Sequence, residues 1–252
     1  MPELVAEDPG GGQGASPLGG AGLPEIKGFL ETSFLDWRGK ISAVLFLPGC
    51  NFACPYCHNH TLAARPQELA TLPLDQVMAR LKPFVGWIDG VVVSGGEPTL
   101  HPGLPRLLEM VRQAGFSVKL DTNGYRPEVL AYLHRHGLVD YVAMDLKAPL
   151  EPLAYRRVSG RKVDVDQVRA SLEFLKASGL AHEIRSTIWP DWHGPEELEA
   201  MARAVRGAQA WTLQALKPEN AWNRQALGSG RAYDAETLAR LQAQWADPVV
   251  TG

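Results

Sequence analysis

Residues 42–57 read SAVLFLPGCNFACPYC: a nearly unbroken apolar run, a Pro-Gly turn, and then Cys50, Cys54 and Cys57 in a C-x3-C-x2-C pattern. An apolar run of this length bounded by a turn has the pattern of a strand buried on both faces, as in parallel sheets. The chain's 3 cysteines are all in this loop. Three thiolates on one short loop can hold three corners of a 4Fe-4S cube, whereas a cluster serving only electron transfer usually takes four cysteines. The fourth iron is then open to bind a small molecule, which points to a cluster that performs chemistry. By spacing alone, a tetrahedral zinc site completed by His58 or His60 is the alternative.

Outward from this loop, apolar runs alternate with helical patterns. Further strands are expected at Gly90–Val93, Ser117–Leu120, Tyr141–Met144, Glu183–Ile188 and Trp211–Leu216. Pro105 and Pro127 suit the first turns of the intervening helices, and Gly115, Gly137, Gly179 and Gly207 suit their left-handed ends. Val168, Leu172 and Leu175 mark one inward helical stripe, and Leu198, Met201, Ala202 and Val205 another. Six strands with crossover helices predict an α/β fold in residues 25–246, with βα units around a parallel sheet or barrel. Residues 1–24 include a Gly/Pro-rich stretch with too little apolar surface to order itself, and residues 247–252 are a short tail.

The composition agrees with one sizeable core: 252 residues, 45% hydrophobic and 21% charged. A formal net charge of -3 gives no whole-chain footprint for nucleic acid, and no apolar run approaches the roughly 18 residues of a membrane span. With no secretory leader pattern and an odd cysteine count in one loop, a cytoplasmic protein is expected, without membrane or favoured nucleic-acid partners.

The remaining polar signatures fall just after the strands. Gly95, Gly96, Glu97 and Pro98 (GGEP) follow the second, Asp121, Thr122 and Asn123 (DTNG) the third, and Asp145 and Lys147 (DLK) the fourth. In a parallel βα barrel these loops converge on one mouth. Glycines let a ligand approach the backbone, and carboxylates accept hydrogen bonds from ammonium groups. Taken singly, GGEP and DTNG read as turns, and DLK as a capping aspartate with a solvated lysine.

Together, the stretches KGFLETSFLDWRGKISAVLFLPGCNFACPYCHN, VVVSGGEPTL, VKLDTNG, VDYVAMDLKAP, EIRSTIWP and WTLQALKP resemble the radical S-adenosylmethionine (SAM) superfamily. More narrowly, they are similar to the glycyl-radical enzyme activating enzymes, especially those of anaerobic ribonucleotide reductase. The resemblance implies a partial (βα)6 TIM-like barrel, a 4Fe-4S cluster on Cys50, Cys54 and Cys57 with SAM on the fourth iron, and Tyr56 bordering the adenine. It places Gly95, Gly96, Glu97 and Pro98 beside the methionine amino group, and Asp121 and Lys147 near the carboxylate and ribose. Asp121, Thr122 and Asp145 become candidates for a monovalent cation, Asn123 completes the DTNG motif, and Arg185 and Ser186, with the Trp189–His193 loop after them, lie near SAM or the incoming protein. An arginine on a barrel strand is equally suited to pairing with a barrel carboxylate.

The implied activity is reductive cleavage of SAM to methionine and a 5'-deoxyadenosyl radical, which takes hydrogen from a glycine of the partner enzyme. A flavodoxin or ferredoxin-type reductant is the implied electron donor. One departure stands out: Asp36-Trp37-Arg38-Gly39 occupies the place of the family's D-x-P-G element, a segment implied to face the partner. The rival functions are a radical SAM enzyme acting on a small molecule, RNA or a peptide, and the zinc module.

Overall fold

A computed structural model describes residues 22–246. The predicted tails therefore fall almost wholly outside the described residues; of the first, only residues 22–24 are within them, and Leu23 packs against the core. In chain order the elements are β1 (Gly28–Ser33), β2 (Ser42–Leu47), α1 (His60–Ala64), α2 (Leu74–Leu81), β3 (Gly90–Gly95), α3 (Leu104–Gln113) and β4 (Ser117–Thr122). They continue with α4 (Pro127–Arg135), β5 (Tyr141–Asp145), α5 (Pro152–Ser159), α6 (Val165–Ser178), β6 (Ala181–Ile188), α7 (Pro195–Val205), β7 (Trp211–Ala215) and α8 (Ala235–Leu241).

Among the described residues the strands form one 7-stranded sheet in sequential order, open between β1 and β7. β2 to β7 are parallel, and these are the six predicted strands. The result is an open α/β sheet of the partial TIM-like barrel kind. β1 was not predicted; it runs antiparallel to β2 along the edge, with Gly28 opposite Phe46. Its sequence GFLETS is half exposed and carries neither an apolar run nor a clean alternation, so the period that reveals a buried strand is missing. The predicted helix ends hold: Pro105 and Pro127 lie in first turns, and Gly115, Gly137, Gly179 and Gly207 take φ of 96°, 61°, 72° and 88°.

Strand residues alternate between two surroundings. Leu45, Leu47, Val91, Val93, Val118, Leu120, Val142, Met144, Ile184 and Ile188 point to the helices and form the main core. The other face is polar. Lys119, Asp121, Tyr141, Asp145, Glu183 and Arg185 share it with Val44 and Val92. At the N-terminal end of the parallel strands the buried Trp37 packs on Val44 and Val92 and beside Tyr141. Above it the buried Lys119 donates to Asp36 O at 2.5 Å and to Glu183 at 3.2 Å. The Asp36–Gly39 segment thus closes the floor of the barrel, at the end remote from the cysteine loop. Trp37 is consumed as a plug, while Arg38 and Gly39 beside it stay exposed.

Among the described residues, no helix is long and apolar enough to cross a membrane.

Candidate functional site

The loop after β2 is anchored along its length. Gly49 N donates to Leu62 O at 2.9 Å, Ala53 N to Ser159 O at 2.9 Å, and Cys57 N to Cys54 O at 3.0 Å. Phe52 lies edge-on to Tyr125 and Tyr155, and Tyr56 packs 6.0 Å from Trp192. The three thiols therefore hang from a backbone fixed before any ligand binds. Burial pushes the Cys50 thiol up to about 12 and raises those of Cys54 and Cys57, so loading with a metal must displace protons.

The next wall is GGEP at the end of β3. Gly96 N donates to Leu47 O at 2.9 Å and Glu97 N to Gly49 O at 2.8 Å, which draws this loop against the cysteine loop. Only glycine permits that approach. Gly95 has φ +126°, and a Cβ on Gly96 would lie 1.8 Å from Gly49 O.

Glu97 is fully buried and turns away from the cavity. Its Oε1 accepts from Thr99 N (3.1 Å), Thr99 Oγ1 (2.5 Å) and Thr122 Oγ1 (2.8 Å), and its Oε2 accepts from Asn123 N (2.6 Å). Burial raises its carboxyl pKa despite these bonds. Glu97 thus clamps GGEP to DTNG, and Asn123 Nδ2 in turn donates to Asn51 Oδ1 at 2.8 Å, beside Cys50.

β4, β5 and β6 contribute a charge network. Arg185 lies between Asp145 (Nε to Oδ1, 3.0 Å) and Asp121 (3.3 Å), and Lys147 Nζ donates to Asp145 Oδ2 at 3.3 Å. Burial raises the Asp145 carboxyl, but Arg185 and Lys147 outweigh it and hold the group below its ordinary value. Asp121 Oδ1 is buried with no hydrogen-bond partner among the described residues. With only the Lys119 ammonium 3.7 Å away, this oxygen of a wall residue can still accept a hydrogen bond that a ligand supplies.

These groups surround a cavity of about 1170 Å³. It exceeds the roughly 300–1,000 Å³ of ordinary small-molecule pockets. Cys50, Cys54, Cys57, Tyr56, Gly95, Gly96, Asp121, Thr122, Asn123, Asp145, Lys147 and Arg185 all line it. Of the predicted site residues, Glu97 and Pro98 stand behind the wall. Among the described residues no three His, Cys, Asp or Glu side chains are gathered for a single metal ion. The donor set does fit an Fe-S cluster, with three thiols on one loop beside a roomy cavity.

Trp222, Lys119 and Glu183 lay outside the sequence expectation, and His193 ends the loop expected near SAM or the incoming protein. Trp222 Nε1 donates to Cys54 O at 2.7 Å while its ring stacks on His60. His193 is buried; it accepts from Trp189 N through Nδ1 (3.0 Å), so its Nε2 donates to Lys147 O (2.8 Å) and fixes the DLK loop. Lys119 and Glu183 underpin Asp121 from below. A lysine within the apolar run VKL is a legible signal for such a buried pair; Trp222 offers none, lying 168 residues from its partner.

A family model described as the radical SAM superfamily matches residues 44–205, more than half of the chain. A Methanocaldococcus jannaschii protein, provisionally named a glycyl-radical enzyme activating enzyme, is 30% identical over 200 residues, 77% of this chain and 81% of the relative. A 7-carboxy-7-deazaguanine synthase of Neisseria meningitidis is 31% identical over 113 residues, 44% of this chain and 47% of that protein. Among solved structures, Streptococcus suis SuiB bound to S-adenosylmethionine superposes with a TM-score of 0.61 at 16% identity, over 80% of this chain and 47% of that one. That likeness concerns the fold.

Proposed function

This chain belongs to the radical SAM superfamily and groups in sequence with its glycyl-radical enzyme activating enzymes, and we propose that it generates a glycyl radical on a partner enzyme, an anaerobic ribonucleotide reductase. The observation that carries this reading is the convergence of three thiols from one loop with DTNG and DLK residues from two further strand ends on a single cavity. Cys50, Cys54 and Cys57 would hold a 4Fe-4S cluster, and SAM would fill the rest. When bound, these two supply the electron transfer that cleaves the sulfonium and the carbon radical that abstracts hydrogen.

The chain's own residues bind, orient and shield. Lys147 offers an ammonium to the SAM carboxylate, and Arg185, which also lines the cavity, would add guanidinium N–H donors for the same anion. Asp121 Oδ1 is an acceptor for a ribose hydroxyl or the amino group. Gly95 and Gly96 let the methionine portion lie against the backbone, and Tyr56 borders the adenine. Glu97 serves by holding two loops in register. Lining residues fixed by such bonds exclude water and competing hydrogen donors from the cavity. The partner's glycine must enter on a flexible loop, and a flavodoxin or ferredoxin-type protein is the proposed reductant.

The test is anaerobic incubation of the reconstituted protein with SAM, reductant and the candidate reductase, read by electron paramagnetic resonance. A glycyl radical on the reductase that requires both SAM and reductant is expected. SAM cleavage without any radical on the reductase would assign the enzyme to another substrate.

A further inference from the structure

Asp121 and Asp145 project from neighbouring strands into one cavity, where two bare carboxylates would repel. The usual remedies are a bound cation with oxygen ligands or a protonated oxygen. Here a side chain of the protein fills the gap. The Arg185 guanidinium reaches Asp145 Oδ1 through Nε (3.0 Å) and Asp121 Oδ2 through NH1 (3.3 Å). Lys147 takes the second oxygen of Asp145, and Ser94 Oγ donates to Asp121 Oδ2 at 3.2 Å. The remaining oxygen, Asp121 Oδ1, has the Lys119 ammonium 3.7 Å away.

The charges also balance. Lys119, Lys147 and Arg185 face Asp121, Asp145 and Glu183, three against three, joined by ion pairs at 3.0 to 3.7 Å. An alkali cation here would raise an already neutral set by one charge and would have to displace the guanidinium from both carboxylates.

We propose that Arg185 is the resident cation of this site, taking the place of a bound alkali ion between Asp121 and Asp145, so that SAM binding needs no monovalent metal. The inference rests on the reading that the cavity binds SAM. Of the five guanidinium N–H groups, two are used on the carboxylates and three remain for the ligand's own carboxylate. Arg185 is thus both a bridge within the wall and a donor into the cavity.

The experiment is calorimetric titration of SAM into the anaerobically reconstituted protein at matched ionic strength, with tetramethylammonium, sodium or potassium as the cation. For the wild type, Kd is expected to agree within about twofold in all three, a difference below the worth of one hydrogen bond. Arg185→Met is expected to bind about tenfold more weakly in tetramethylammonium and to recover on adding potassium or sodium, which the freed carboxylates can then ligate. A wild-type Kd that tightens saturably by about fivefold or more with an alkali ion would overturn the inference, and needs no variant. An Arg185→Met protein that binds as tightly as wild type in every salt would overturn it too. An intact cluster with no SAM binding in any salt removes the functional reading and this inference together.

Discussion

Glu97→Gln tests what the GGEP carboxylate does. All four of its bonds come from donors: Thr99 N, Thr99 Oγ1 and Thr122 Oγ1 on one oxygen, Asn123 N on the other. An amide nitrogen cannot accept, so either orientation of glutamine confronts a buried backbone N–H with another donor. Losing a hydrogen bond to a charged group costs about 1.5–3 kcal/mol, and stranding a buried donor about 1–3 kcal/mol more. Removing a charge that burial disfavours offsets part of this. The net loss is about 2–4 kcal/mol, or roughly 4–16 °C in Tm for a domain of this size. The assay is urea and thermal unfolding of the metal-free protein, beside SAM titration of the reconstituted one. Apo stability unchanged to within about 0.5 kcal/mol, with SAM binding abolished, would place the carboxylate on the ligand and refute the clamp.

Lys119→Met should cost about 3–5 kcal/mol by leaving Glu183 without its lysine and Asp121 with Arg185 alone, and adding Glu183→Gln should restore part of it; simple additivity in the urea double-mutant cycle would refute the pairing. Trp222→Phe keeps a ring against His60 but removes the N–H on Cys54 O, so anaerobic iron release to a chelator should quicken by about fivefold, the equivalent of about 1 kcal/mol; an unchanged rate would separate Trp222 from the cluster loop. Burial lowers the pKa of His101, His182 and His193, so the folded state binds protons less readily than the unfolded chain. Their contribution to stability is complete above about pH 6.5 and is lost as pH falls through the lowered folded values, by at most about 1.4 kcal/mol per pH unit for each. The urea midpoint should therefore drop between pH 7 and 5, and a flat profile would contradict this.

Much of the fold was legible because burial leaves a mark in local sequence. The parallel strands are apolar through their length, and glycines and prolines punctuate their helices. β1 left no such mark because an edge strand with one partner needs little apolar surface. The site was legible as four loops after four strands, since strand direction carries them to one mouth. What stayed hidden was set by register and backbone angle. Pairing Asp121 with Ala143 and Asp145 with Arg185 across β4, β5 and β6 is what lets Arg185 span both carboxylates. Gly95 at φ +126° and its contacts turn Glu97 behind the wall, a direction that GGEP does not spell. Trp222 and His193 act through backbone carbonyls, which any sequence supplies, so side-chain identity gave no hint of their partners.

The most direct test reconstitutes the wild type and Cys54→Ala with iron and sulfide without oxygen, adds SAM and a strong reductant, and measures 5'-deoxyadenosine and methionine. The wild type should form both in equal amounts and Cys54→Ala neither, with the variant's fold retained. No product from a wild type whose cluster is intact, with the candidate reductase added, or equal product from Cys54→Ala, would contradict the assignment of this cavity to SAM cleavage.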